Sequence, residues 1–170
     1  METIIRSQAS QHGQPGIEAT PPRSVEQLLD QAEAILDSGD IESAEPIFRE
    51  ALAEQPSSRA HMGLARCAHL LGDLHRSLGH LHAVQRVHPM YPRLANDLGV
   101  IYFKLGLTRA AVDQLEMASE QAPDDPLPLQ NLVDVAIANG DLDACCEYAR
   151  RLIAIDSTDE EARALVETLG

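Results

Sequence analysis

From residue 24 onward the apolar positions recur at helical spacing, in amphipathic segments that lie on either side of Gly39, Gly72, Gly106 and Gly140. The intervals between these glycines are 33, 34 and 34 residues, so internal repetition is the first question. After each glycine a small residue returns at one offset (Ala44, Ser77, Ala111, Cys145), and four residues further on stand Phe48, Leu81, Leu115 and Ala149. Ala51, Val84, Ala118 and Leu152 follow, and the unit closes on Pro56, Pro89, Pro123 and, in the last copy, Ser157. Ahead of the glycines come Ala32, Ala65, Gly99 and Val133, preceded in the last three by Leu64, Leu98 and Leu132. Small residues at fixed offsets let two helix backbones approach closely. The glycine supplies the left-handed conformation that ends the first helix, and the proline stops the second. One such pair cannot bury its apolar face, whereas four stacked pairs can.

The pattern predicts an all-α chain, an α-α superhelix of antiparallel helix pairs over residues 24–157, with units at about 25–57, 58–91, 92–125 and 126–157. The run Ser157-Thr158-Asp159-Glu160-Glu161 holds two overlapping S/T-x-x-E capping boxes. Ala162, Leu165, Val166 and Leu169 then share one helix face, which makes 158–170 the C-terminal cap. Residues 1–23, rich in Gln, Pro, Gly and Ser, read as a flexible arm. Ile4 and Ile5 would be its apolar grip on the array or on a second copy, a route to homo-oligomers.

The unit resembles the tetratricopeptide repeat, a 34-residue helix-turn-helix with small residues where its helices cross and a proline at its end. The third copy, PRLANDLGVIYFKLGLTRAAVDQLEMASEQAP, matches best, with its L-G-x-x-Y element intact as Leu98, Gly99 and Tyr102. Gln31 replaces the usual leucine in the first copy, and Ala149 and Ser157 depart from the pattern in the fourth. The resemblance implies a non-catalytic module that binds a protein or peptide on the concave face lined by the first helix of each pair. A cytoplasmic adaptor or assembly factor is the leading expectation. A type III secretion-type chaperone, or a regulatory module cooperating with an enzyme such as a glycosyltransferase, are the alternatives.

Removing the core positions from the first helices leaves the partner-facing stripe. In the second copy it is Arg59, Met62, Arg66 and His69, and in the third Arg93, Asn96, Asp97, Val100, Phe103 and Lys104. The fourth supplies Gln130, Asn131 and Asp134, and the first Glu26, Asp30, Glu33 and Asp37. Arg59, Arg66, Arg93 and Lys104 would make the middle of this stripe basic beside an acidic end, which suits a partner with an acidic segment. Phe103 is either an anchor for that partner or a packing residue against the next copy. Positions matching the family's carboxylate clamp are Leu29, Glu33, Gly63, Arg93 and Asp97, of which only Arg93 fits, so chaperone-tail binding is not expected. An asparagine ladder for a peptide backbone survives as Asn131, with Asn96 beside Asp97 one copy earlier.

Charge narrows the partner further. Against 27 Asp and Glu stand 13 Lys and Arg, a formal charge of -14, which opposes the clustered cations that nucleic acid binding needs. No run approaches the roughly 18 apolar residues of a membrane span, and the N-terminus lacks the apolar core of a signal peptide, so the cytoplasm is the default. Cys67, Cys145 and Cys146 are an odd number with two adjacent, which predicts buried free thiols. There is no nucleophile elbow, P-loop, dinucleotide fingerprint or HExxH, and no enzyme activity or cofactor is expected.

The stretch GDLHRSLGHLHAVQRVH carries His75, His80, His82 and His88 but no i, i+4 histidine pair of the kind a helical metal site uses. These residues are expected to be a solvated outer face, partly charged in mildly acidic conditions, and no metal is expected.

Overall fold

Each of the recurring glycines ends a helix. In a computed structural model that describes residues 23–169, Gly39, Gly72, Gly106 and Gly140 have φ of 90°, 79°, 76° and 69°, the left-handed region that only glycine enters without steric cost. The helices between them are α1 (Val25–Asp37), α2 (Ile41–Glu54), α3 (Ser58–Leu70), α4 (Leu74–Val87), α5 (Leu94–Lys104), α6 (Thr108–Gln121), α7 (Leu127–Asn139), α8 (Leu142–Ile155) and α9 (Glu160–Leu169). No strand occurs among the described residues. Helices α1 to α8 pack as antiparallel pairs, each pair stacks on the next, and α9 packs on α8. This is the expected α-α superhelix.

Side chains fix where the helices begin. Ser24 Oγ accepts from the Gln27 N–H (3.2 Å) while Gln27 Oε1 accepts from the Ser24 N–H (2.9 Å), a reciprocal cap. Directly after three of the left-handed glycines, Asp40, Asp73 and Asp141 cap α2, α4 and α8, each accepting a backbone N–H at 3.0 Å. Leu107 holds that place in the third pair, and α6 has no side-chain cap.

The C-terminal cap begins differently from expectation. Neither S/T-x-x-E box forms. Asp156 Oδ1 takes both the N–H and the hydroxyl of Thr158 (2.8 and 2.7 Å), and the Ser157 carbonyl accepts from the Arg163 guanidinium. The turn displaces both hydroxyls from the helix start, and Asp159 caps α9 by accepting from the Ala162 N–H at 2.9 Å.

The core lies in three successive clusters along the stack. The first joins α1, α2 and α3 around Leu28, Phe48 and Leu64, and the second joins α3, α4 and α5 around Leu81, Val84 and Leu98. The third joins α6 to α9 around Leu115, Leu132 and Tyr148, with Leu165, Val166 and Leu169 of α9 laid over it. All three cysteines are buried and free. Ser77, at a small-residue position, is 1% exposed, and its hydroxyl is satisfied by donating to the Ala65 carbonyl at 2.8 Å.

Two close approaches hold the layers together. A Cβ on Gly63 would lie 2.4 Å from the Phe48 ring of the preceding helix, and one on Gly99 would lie 2.5 Å from Leu115 Cγ and 3.2 Å from the Ala111 carbonyl. Gly79, in the middle of α4, has nothing within 4 Å. Gly99→Ala should therefore cost roughly 1–3 kcal/mol through overpacking. Gly79→Ala should instead gain roughly 0.5–1 kcal/mol from helix propensity. Urea denaturation followed by circular dichroism checks the opposite signs.

Candidate functional site: the groove of the first helices

The first helices of the pairs line a cavity of about 860 Å³. Its walls come from Glu33, Leu36 and Asp37 of α1, from α3, from Tyr91 and Pro92 in the link to α5, from α5 itself, and from Leu127 and Asn131 of α7, with Phe48 of α2 and Ser77 and Leu81 of α4 behind them. Of the sequence-derived stripe, Arg59, Met62, Arg66 and His69 of the second pair open onto it. So do Arg93, Asn96, Asp97 and Val100 of the third, and Asn131 of the fourth. Phe103, Lys104, Gln130 and Asp134 are not part of its lining. Phe103 packs against the C-terminal core cluster, so of its two readings the structure shows the packing one. Lys104, Gln130 and Asp134 are exposed on α5 and α7.

The charge on this face departs from the basic middle expected. The Arg59 guanidinium is shared among three carboxylates of α1, at 2.8 Å from Glu26, 2.7 Å from Asp30 and 2.5 Å from Glu33, which holds it even more firmly protonated than usual. Arg66 bonds Asp37 at 2.7 Å. Two of the four cations are therefore taken up by the four carboxylates of α1, and that end of the face stays net acidic. Arg93 and Lys104 make no ion pair among the described residues.

The amides form a short relay across α5 and α7. Asn131 Nδ2 donates to Asn96 Oδ1 at 2.8 Å, and Asn96 Nδ2 donates to Asp97 Oδ1 at 3.2 Å. Asn96 is 5% exposed, so its amide is committed to this relay, while Asn131 remains half-exposed. Burial pushes the Asp97 carboxyl above its ordinary range, against the opposing pull of Asn96, Arg93, His69 and Arg66. Burial also pushes His69 down, helped by Lys104 and opposed by Asp97. The groove thus holds an imidazole shifted toward its neutral form and a carboxyl shifted upward, beside Arg93, which has no ion-paired partner among the described residues.

Sequence reasoning missed three features of the groove. Tyr91 and Pro92 lie in an inter-helix link rather than on a first helix, so the helical-stripe rule could not select them. Arg93 adopts φ 65° and ψ -2° as the residue entering α5, the one non-glycine in the left-handed region among the described residues. Ion pairs that jump one repeat, such as Arg59 to Glu33, join residues 26 apart in the chain, and no local pattern marks them.

The histidines are also corrected. His75 and His88 are exposed, but His80 is half-buried and its Nδ1 meets Nδ1 of His61, from α3, at 3.1 Å. His82 is half-buried with Nε2 3.0 Å from the Tyr102 hydroxyl of the next pair. Helical geometry on α4 alone could not reveal these partners, because they come from α3 and α5. Among the described residues no three His, Cys, Asp or Glu side chains are grouped to hold a metal ion.

Burial lowers the pKa of both His61 and His80. Arg86 adds to the effect on His61. His61, Arg76 and Arg49 add to it on His80, and Glu45 opposes. The unfolded chain therefore takes up these protons first as pH falls. The pair's contribution is intact above the ordinary value of 6.5 and is lost as pH drops through the window below it. His80→Gln keeps a hydrogen-bonding group without a titration, so its Tm should fall less between pH 7.5 and 5.5 than that of the parent chain. For Asp97 the sign is opposite, since a raised carboxyl loses stability as pH rises through the window above 3.8. Asp97→Asn should raise Tm at pH 7, with the gain fading near pH 4; thermal melts across this range measure both effects.

A tetratricopeptide repeat model matches residues 29–80 and 71–126, more than half of the chain. No curated protein matches the sequence. Among solved structures, MamA of Desulfovibrio magneticus RS-1 superposes with a TM-score of 0.73 at 16% identity, covering 85% of this chain and 82% of that one. PilF of Pseudomonas aeruginosa gives 0.75 at 18% identity over 85% and 67% of the two chains. A thermophilic protein of this repeat type from Thermus thermophilus gives 0.71 at 21% identity over 86% and 81%. At these identities the likeness is one of fold. The chain belongs to the tetratricopeptide repeat family, whose fold serves in general as a protein–protein interaction module.

Proposed function

We propose that this chain is a non-catalytic cytoplasmic adaptor that holds a segment of a partner protein along the groove of its first helices. The observation that carries the reading is the groove itself, whose lining includes Arg66, His69, Arg93, Val100 and Asn131, side chains that the core does not use. The binding array in this reading is residues 24–157, with 158–170 as its cover and 1–23 as an arm. Residues 1–22 of the arm, with the grip assigned to Ile4 and Ile5, lie outside the described residues. The charge open to an acidic partner group is concentrated on Arg93 and Lys104, because Arg59 and Arg66 are already matched by carboxylates of α1. Among the described residues no helix is long and apolar enough to cross a membrane.

Val100 is half-buried on α5 and lines the groove, so Val100→Arg puts a long cation into the space without cutting into the core. A partner segment recovered with the parent chain should bind this variant at least about tenfold more weakly by calorimetry, the loss typical of a central interface residue. Asp143→Lys, exposed on α8, should leave the affinity unchanged. Equal affinity for the parent and Val100→Arg, with helical content intact, would remove the groove from the reading.

A further inference from the structure

A second cavity, of about 310 Å³, opens beside the third pair, at the edge of the stack where α4 leads into α5 and α6 into α7. Met90, Pro92, Ala95, Ala118, Ala122 and Pro128 give it an apolar wall. Its volume is at the lower end of the range for ligand pockets, about 300–1,000 Å³. Pro92, Arg93 and Asn96 line both this cavity and the groove, so the turn entering α5 is the ridge between them.

Arg93 stands on that ridge, and two independent facts single it out. Its backbone is held at φ 65°, where a side chain is strained and a glycine would be free. Its guanidinium makes no hydrogen bond or ion pair among the described residues, although Arg59 and Arg66 in the same groove are matched by carboxylates. A strained position therefore carries a cation that no hydrogen bond or ion pair engages among the described residues. At the cavity mouth Met90 is 66% exposed, and its sulfur accepts from Gln121 Nε2 at 3.7 Å. Asp125, also in the lining, has one carboxylate oxygen committed to the Leu127 N–H at 3.0 Å.

We infer that the partner segment crosses the Arg93 ridge, setting a carboxylate on the Arg93 guanidinium and an apolar side chain in the second cavity. The segment is thus defined chemically as an apolar residue beside an acidic one, the rest of it lying in the groove. This rests on the groove reading above, and supplies the specificity that a groove whose Arg59 and Arg66 are already ion-paired lacks. Charge complementarity determines the acidic residue, and the apolar wall across the ridge from the groove determines its neighbour.

The test uses the full chain and a phage-displayed library of random peptides, with affinities of selected peptides read by fluorescence polarisation. Selected peptides should share an Asp or Glu next to a large apolar residue. Arg93→Gly, which relieves the backbone strain and so preserves the fold, should weaken them about tenfold and erase the acidic preference. Met90→Glu, at an exposed position, should weaken them similarly and erase the apolar preference. Val100→Arg should abolish binding. Peptides that lack the paired motif, or that bind Met90→Glu as tightly as the parent while still failing on Val100→Arg, overturn the crossing and leave the groove reading standing. Peptides indifferent to Val100→Arg overturn both.

Discussion

The stacking of the middle pairs depends on two helices that press against large neighbouring side chains more closely than a Cβ allows. At Gly63 the Phe48 ring of the preceding helix occupies the space a side chain would take, and at Gly99 the Leu115 side chain does the same. These contacts join α3 to α2 and α5 to α6, so one lies between successive pairs and the other within a pair. A layered array whose members touch only their neighbours gains its stability from such interfaces, one after another. The three core clusters follow that order along the chain, and α9 ends it with Leu165, Val166 and Leu169 turned to the core and Glu160, Glu161 and Glu167 exposed.

The repeat that stacks apolar residues also brings polar ones into register. Arg59 reaches three carboxylates of α1, Arg76 reaches Glu45 of α2, Asn131 reaches Asn96 of α5, and Arg151 reaches Glu116 of α6. Each joins a helix to its counterpart one pair earlier. Mostly exposed ion pairs of this kind contribute little stability, about 0–1 kcal/mol each. Their larger consequence is for the groove, where they consume charge that composition counts as free. In the proposed groove reading, what is left for a partner is set by subtraction: Arg93, Lys104, the half-exposed Asn131 and the shifted His69 and Asp97.

Helix order, the left-handed glycines, the core positions and the buried thiols were legible because each depends on residues within one unit or on a period that repeats it. Eleven residues chosen from the first-helix stripe line the groove for the same reason: Glu33, Asp37, Arg59, Met62, Arg66, His69, Arg93, Asn96, Asp97, Val100 and Asn131. Phe103 shows where that rule stops, since a position on the helix face can turn toward the next pair, as its packing on the α6–α9 cluster shows. The cap of α9 shows the same limit locally. Ser157, Thr158 and Asp159 are all competent caps, and the turn made by Asp156 with Thr158 decides in favour of Asp159.

Periodicity and residue size were enough to establish an all-helical repeat of this length, its pairing and the face its first helices share, because those properties follow from 3.6-residue geometry and from where small residues recur. Which charges remain free, which histidines meet and which arginine bears a strained backbone depended on contacts between residues 19 to 33 positions apart or on the shape of a link between pairs. A one-dimensional pattern carries no distance across the stack, and electrostatics and burial are functions of that distance.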